Sequence, residues 1–402
     1  RASATEAFIP LLVTIMAESN QDSNVRAEVT ALLGAVGGPG VVPPLAQGMS
    51  GEGKAYFREK CAEALGWAGA TQAIPLLVSA LRSDREEDVR CAAVGALQRL
   101  GATGVVSDLV AVFQTDTNSS VRSAAAECLG ALCATQAVSV LLAEVKTVAR
   151  PSEGRAAVRR SAAKAMGVIG DRRAVPVLAD AVRSDGEEEM RCACAVALGT
   201  LGDRQAVPAL LTALQKDAES PVRCAAAEAL GKIGDSAAAA GLAGALRGDK
   251  VSDVRSAAAE ALSRCADATV AAAMARALSE ESVPEVIDKT TSALGWFDSP
   301  EVVSALLAAL ADGSKPVRHH AIEALGCTGS TNATAALIEV ARTDRLRSTR
   351  EAAVQALGVL CDRQAVPALT LFIKNKSYSS EAAWSLGHIG DSSAVPALAR
   401  AL

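Results

Sequence analysis

Aromatic residues are almost missing from this chain. They make up 2% of 402 residues although half of the residues are apolar, so alanine, leucine and valine supply nearly all of the hydrophobic content. A large globular core draws much of its volume from Phe, Tyr and Trp. A chain without them must bury small areas many times over, which suits helices that approach one another closely. Histidine is scarce too, at three residues. No apolar run reaches the length of about 18 residues that a membrane-spanning helix needs, and no secretory leader is read at the N-terminus. Charge of one sign is also lacking: 40 basic residues face 45 acidic ones. Nucleic-acid binders carry a basic excess or stripe, so no nucleic acid is expected as a partner. The ten cysteines are scattered singly through helical patterns. They are read as small buried residues in a reducing compartment and not as a disulfide framework. The chain begins at Arg1 and ends at Leu402 inside a helical pattern, which reads as a segment of a longer protein.

What is present is a repeat, the feature to be sought first in a chain of this kind. The string VRCAAAEALGKIGD at 222–235 recurs, anchored by Arg26, Arg58, Arg90, Arg122, Arg159, Arg191, Arg223, Arg255, Arg318 and Arg350, with Ile287 and Ser379 in the slot in two further units. The spacing is 32 residues except for 37 between Arg122 and Arg159, 31 between Ile287 and Arg318 and 29 between Arg350 and Ser379. Seven residues after the slot stands a large apolar residue in all twelve units, from Leu33 and Leu65 through Met166 to Leu386. Glycine follows it in ten of them, Gln98 and Ser263 being the exceptions. Glycine inside a helix costs about 1 kcal/mol relative to alanine, so its recurrence predicts close backbone approach between stacked helices. The other half of each unit, as in AVPALLTAL at 206–214, has the helical period i, i+3, i+4, i+7. Prolines such as Pro75, Pro176 and Pro208 stand near its start, where a missing N–H is harmless. Asp171, Asp203, Asp235, Asp362 and Asp391 precede it as predicted N-caps. Each unit is two short helices, neither able to bury its apolar face alone. The fold class follows: all-α, an α-α superhelix of about twelve two-helix repeats plus a terminal helix, continuous over residues 1–402.

These residues resemble the HEAT family, in particular the short repeats of the phycobilisome lyase type. The pairs Asp84/Arg90, Asp116/Arg122, Asp185/Arg191, Asp217/Arg223, Asp249/Arg255, Asp312/Arg318 and Asp344/Arg350 share a spacing of six, with Glu52/Arg58 and Glu153/Arg159 as variants. The resemblance implies that they form a ladder along the stack, with the Pro helices on the convex side and the Val-Arg helices on the concave side. An exposed ladder contact would contribute only about 0–1 kcal/mol. The enzyme relative, deoxyhypusine hydroxylase, holds two irons through His-Glu pairs. Here the matching positions are His319 and His320, the third histidine is His388, and no His-Glu dipeptide exists. His319 and His320 are therefore read as solvated residues at a helix start. Cys192 and Cys194 point to different faces of a helix and are read as packing residues. Cys133, Cys265 and Cys361 stand where other units end a helix with glycine and are read as structural.

The candidate binding residues share slots. Glu63, Glu127, Glu228, Glu260 and Glu323 lie two residues before the conserved Leu, with Lys164 and Trp384 in the same slot of other units. They either solvate the inner face or form an acidic floor for a basic or helical partner segment. Trp67 and Trp296 share the slot two residues after the Leu, with His388 in the last unit; they either fill gaps between repeats or act as binding anchors. The 37-residue unit predicts a basic loop over 147–157 flanked by Lys146, with Arg150, Arg155, Arg159 and Arg160 in and beyond it. Such an insertion falls in a loop, often on a binding face. Together these features predict a non-catalytic, protein-binding scaffold or a subunit of a larger assembly, with no cofactor and no metal. The alternative, implied by the resemblance, is a phycobilin lyase-like protein that handles a chromophore. The repeat makes one expectation directly measurable: Leu230→Ala costs about 2–5 kcal/mol in denaturant unfolding, and a neutral outcome would mean that the helices face the other way.

Overall fold

The computed structural model describes residues 8–18, 23–50, 54–147, 152–265, 268–295, 300–312, 315–374 and 378–401. Among the described residues all regular structure is helical. The Pro-type helices are odd-numbered: α1 (Ile9–Glu18), α3 (Val42–Ser50), α5 (Ile74–Ser83), α7 (Val106–Thr115), α9 (Val138–Val145), α11 (Val175–Ser184), α13 (Val207–Lys216), α15 (Ala239–Gly248), α17 (Ala268–Glu280), α19 (Pro300–Asp312), α21 (Thr334–Thr343), α23 (Val366–Phe372) and α25 (Val395–Ala401). The Val-Arg helices are even-numbered: α2 (Ser23–Val36), α4 (Ala55–Trp67), α6 (Glu87–Arg99), α8 (Ser119–Ala131), α10 (Glu153–Ile169), α12 (Glu188–Leu201), α14 (Ser220–Ile233), α16 (Ser252–Arg264), α18 (Pro284–Leu294), α20 (Lys315–Cys327), α22 (Arg347–Leu360) and α24 (Ser379–Ile389). The chain forms two compact units, Arg1–Ala206 and Val207–Leu402.

Within each unit an odd helix packs on the even helix that follows, and even helices pack broadly on the next even one, while odd helices meet each other sparingly except at α17 and α19, which pack on each other more broadly than α18 and α20 do. Away from that repeat the even side is the tighter side of the stack. The large residue seven beyond the Arg slot is the centre of every repeat: Leu33, Leu65, Leu97, Leu129, Met166, Leu198, Leu230, Leu262, Leu294, Leu325, Leu357 and Leu386 are all at most 1% exposed. Burying one such side chain stabilises by about 1.5–3 kcal/mol.

The helical glycines bear out the expected close approach. A Cβ on Gly34 would lie 2.8 Å from the Cα of Ala64, one on Gly66 2.7 Å from that of Ala96, and one on Gly231 2.8 Å from that of Ala261. Gly130 with Ala165 and Gly167 with Ala197 repeat the contact at 2.9 Å. Each pair joins the residue after one leucine to the residue before the next. Where Gln98 replaces the glycine, the facing slot holds Cys128 in place of alanine, and α6 and α8 pack less broadly than α4 and α6. In the last repeat the slot is Gly387, and nothing stands within 4 Å of its would-be Cβ.

The predicted aspartate caps serve a different element. Asp171, Asp203, Asp235, Asp362 and Asp391 each accept a hydrogen bond from the backbone N–H two residues on, at 2.9 to 3.0 Å. They cap a three-residue 3-10 turn, and the α-helix starts only after it, with a proline second in every case but α15. Of the three cysteines at helix ends, Cys133 and Cys361 take up left-handed backbone at φ 51° and 53°, the conformation of Gly170 and Gly202 in other repeats. Cys265 does not, with φ −84°, and it is buried.

The ladder exists, and its rungs run between repeats. Arg58 donates from Nε and Nη2 to the two carboxylate oxygens of Asp84, both at 2.8 Å. Arg90 reaches Asp116 in the same way while its Nη1 donates to the backbone carbonyl of Asp84 at 2.9 Å. In the second unit Arg223 grips Asp249 at 2.7 and 3.0 Å, and Arg255 grips Glu281 at 2.7 and 3.1 Å while donating to the carbonyl of Asp249. Each acid also accepts from a backbone N–H two residues ahead, as Asp249 does from Val251. The spacing of six therefore marks the two residues that flank a shared joint: Asp84 and Asp249 each take the arginine of the preceding repeat through the carboxylate and that of their own repeat through the carbonyl, whereas Arg122 donates to the carbonyl of Phe113 in place of that of Asp116. Glu52 lies outside the described residues. Glu153 does not join the ladder; it is exposed at the start of α10, and Arg122 reaches Glu144 at 3.2 Å instead.

These contacts are not surface ion pairs, since the side chains of Arg223 and Asp249 are 14% and 9% exposed. The Arg58 guanidinium holds the carboxyl of Asp84 below the usual carboxylate range. At Asp249 burial pushes the other way but is outweighed by the hydrogen bonds from Arg223 and the Val251 N–H, so its pKa is also lowered.

Two predictions follow from this packing. Gly66→Ala lowers stability by about 1–3 kcal/mol, because overpacking outweighs the helix preference for alanine, whereas Gly387→Ala in the open slot raises it by about 0.5–1 kcal/mol; urea midpoints of the same sign for both would sink the backbone-contact account. Arg223→Ala costs about 2–4 kcal/mol, as removing one partner of a part-buried charged pair does. Because Asp84, Asp249 and Glu281 titrate below their unfolded values in the folded chain, the stabilisation from these three rungs is complete above about pH 5 and is lost as the pH falls through the folded pKa values. Arg223→Ala flattens that acid limb in unfolding curves recorded as a function of pH.

Candidate functional site on the even-numbered helices

Residues two before and two after each buried leucine are four apart, so they share one helix face. Because the leucine points inward, that face looks outward, and the candidate glutamates and tryptophans lie there. In the first unit Glu127 and Lys164 are exposed and Glu63 is half-exposed; in the second Glu228, Glu260 and Glu323 are exposed. Trp67 is 67% exposed and Trp384 46% exposed, so neither is a filler between repeats. Trp296 and Arg150 lie outside the described residues.

The acidic row is compensated more than its sequence suggests. Lys60 donates to Glu63 at 2.9 Å and to Glu59 at 3.0 Å. Glu127 accepts a hydrogen bond from Ser161 of the next repeat at 3.1 Å. Glu260 pairs with Arg264 on its own helix at 3.1 Å and with Lys289 of the next repeat at 3.2 Å. Glu323 faces both His320, at 3.1 Å, and His319, at 3.5 Å, so these histidines face a carboxylate and are not simply solvated. At Glu228 the corresponding position of the next repeat is Ala257, which brings no charge.

The aromatic positions have partners of their own. The guanidinium of Arg99, in the slot of Trp67 one repeat on, stacks 4.3 Å from the indole centroid. The ring of Trp384 lies on that of His388, one turn later, with centroids 4.0 Å apart. On its other side Trp67 lines a cleft of about 370 Å³ together with Ala31, Ala35, Lys60, Glu63 and Ala64. Sequence reasoning missed Lys60, Arg99, Ala31 and Ala35. The signal was available in the slot alignment, where Arg99 and Ala35 occupy the position of Trp67 in the adjoining repeats.

The C-terminal part of the expected basic loop is helical, and residues 148–151 lie outside the described residues. Helix α10 starts at Glu153 and runs 17 residues, so the residues from 153 to 157 form an added helical turn. Ala156 is buried, and Gly154 lies so close to Ser119 that a Cβ would meet its Oγ at 2.7 Å. Arg155 folds back to Glu144 at 3.1 Å, joining Arg122 there, and Arg160 is half-buried. Arg159 is buried and held by Asp185 and by the carbonyl of Val145. Arg155 and Arg159 are thus engaged in holding the irregular repeat together. Cys194 is fully buried and Cys192 only half so, and burial pushes the Cys194 thiol above its usual range.

The family described as HEAT repeats matches residues 9–97, 74–151, 180–263, 271–358 and 334–402. The chain belongs to the HEAT-repeat family. Residues 158–184 also match the PBS lyase HEAT-like repeat. No curated protein matches the chain. Among solved structures it is similar to Kap121p bound to Pho4p, with 16% identity, a TM-score of 0.64 and coverage of 98% of this chain and 51% of that one. Importin beta is similar at 14% identity and a TM-score of 0.55, covering 97% of this chain and 63% of that one. The HEAT-repeat chain thus spans about half the length of Kap121p, and these likenesses speak for the solenoid fold. The complex of CpcE and CpcF of phycocyanin lyase from Nostoc sp. PCC7120 matches at 24% identity over 71% of this chain and 93% of that one, with a TM-score of 0.35. Among the described residues no helix is long and apolar enough to cross a membrane.

Proposed function

We propose that this HEAT-repeat chain is a non-catalytic protein-binding scaffold or a subunit of a larger assembly, in a reducing compartment, and that partners dock on the exposed face of its even-numbered helices. The observation that carries this reading is the exposure of Trp67 and Trp384 on that face, in a chain with three tryptophans in all. Large aromatic side chains left in water are a strong marker of docking. The unbroken Arg pattern through Arg191 and Arg223 supports one continuous array over residues 1–402. The solenoid likeness adds support, since Kap121p has been solved with Pho4p and with RanGTP bound. Repeat stacks make long surfaces suited to such partners.

The match of residues 158–184 to the PBS lyase type favours a second reading, a bilin-handling protein. One experiment separates the two. A photo-crosslinking residue placed at Glu228, on the even face, captures a discrete protein in cells, whereas the same residue at Glu339 on α21 does not. Equal capture at both positions or none at either would overturn the docking face. A covalently coloured product on co-expression with a bilin and a phycobiliprotein acceptor would favour the lyase reading.

A further inference from the structure

The most distinctive stripe on the molecule runs along α4. Tyr56, Lys60, Glu63 and Trp67 follow one another at helical spacing on its outer face, and Tyr56 and Trp67 are 45% and 67% exposed. One of the two tyrosines and one of the three tryptophans of the chain therefore stand in water on a single helix. The cleft beside Trp67 arises from a step in side-chain size. Where α4 presents Glu63 and Trp67, the same two slots of α2 present Ala31 and Ala35, so the indole rises above an alanine floor and walls a space of about 370 Å³. Arg99 stacks on the indole but does not line the cleft, which leaves the side toward the alanines open.

The charges around the cleft are unequal. Glu59 and Glu63 share the single ammonium of Lys60, and Glu28 is exposed on α2 one turn before Ala31. Two carboxylates thus share one cation beside the indole, Glu63 and Lys60 lining the cleft itself. An electron-rich ring over small apolar residues, with surplus carboxylate at the rim, matches a side chain that has a long aliphatic stem and a cationic end. Arginine and lysine have that form, and their cations gain about 0.5–2 kcal/mol from an indole face.

We infer that the cleft between α2 and α4 receives an arginine or lysine side chain of an extended, basic segment of a partner protein, its stem on Ala31 and Ala35, its cation between the Trp67 indole and the Glu63 carboxylate. This rests on the scaffold reading and assigns it a first contact. Lys60 is then an internal competitor: it occupies the carboxylate that the incoming cation needs, and binding displaces it toward Glu59.

The test uses the full chain with its tryptophans labelled at the indole nitrogen, the Trp67 signal being assigned by its loss in Trp67→Phe. It is titrated with a short Gly/Ser peptide carrying two arginines, and with the same peptide carrying glutamine or leucine there. The arginine peptide shifts the Trp67 indole signal saturably and the glutamine and leucine peptides do not. Glu63→Gln weakens the binding about tenfold, Lys60→Met strengthens it, and Glu339→Gln, on α21 and off the even face, leaves it unchanged. No shift at millimolar peptide, an equal shift with the glutamine or leucine peptide, or weaker binding in Lys60→Met would overturn the assignment. If the Glu228 position captures a partner in cells and Trp67→Ala keeps it at full strength, the cleft assignment fails and the scaffold reading stands. Capture of nothing at the even face is the failure of the scaffold reading itself.

Discussion

Most successive even-numbered helices lie as close as they do because a glycine on one meets an alanine, or at Gly358 a serine, on the next where larger side chains would hold them apart. With 2.7–3.1 Å between a would-be Cβ and the facing Cα, the separation is set by backbone and not by side-chain volume. The scarcity of aromatic residues then makes physical sense. At this separation the inter-repeat space takes one leucine per repeat and a fringe of valine and alanine, and a phenylalanine in most slots would wedge the stack open. Close approach also brings Arg58, Arg90, Arg223 and Arg255 of the even helices within reach of the acid at the end of the next odd helix, where a guanidinium spans the joint with two or three donors. Packing comes first and the electrostatic ladder follows from it.

Much of this was legible in the sequence because the interactions repeat at a fixed interval. The buried leucines and the helical glycines could be read from their slots alone. The direction of the ladder could not. A spacing of six ties Asp217 to Arg223, but the carboxylate that Arg223 grips is that of Asp249 in the next repeat, and only the stacking register reveals it. The degree of burial was hidden for the same reason, so contacts that resemble surface ion pairs turn out to be nearly enclosed. The aspartates before each proline were recognised as caps but given the wrong element, since a 3-10 turn of three residues leaves no periodic trace. The added residues before Arg159 looked like a loop because Pro, Ser and Gly dominate the first few, although Arg155, Ala156 and Ala157 are good helix formers.

The outward face was the least legible part. Its slots could be aligned, but whether a glutamate there is solvated or paired depends on the residue in the adjoining repeat. Glu260 meets Lys289 and Glu127 meets Ser161, while the equivalent neighbour of Glu228 is Ala257. The same lateral rule explains Trp67, whose surroundings are Arg99 on one side and two alanines on the other. The chemistry of this surface is written in pairs of residues some 32 positions apart, which a reading along the chain does not bring together.

The 37-residue unit reveals where such a chain can tolerate a change of length. All of its extra residues lie ahead of Arg159. Downstream, Arg159 still meets Asp185 and Gly167 still meets Ala197, at the sequence offsets found elsewhere in the stack. Upstream, the interrupted joint is bridged by Glu144, which accepts from both Arg122 and Arg155. The stretch between the end of a Pro-type helix and the next guanidinium is therefore the elastic part of the module, and the stretch from guanidinium to glycine is the ruler. Growth by whole modules keeps every ruler intact. Diversification by a few residues is confined to the elastic stretch, where one carboxylate nearby suffices to mend the seam.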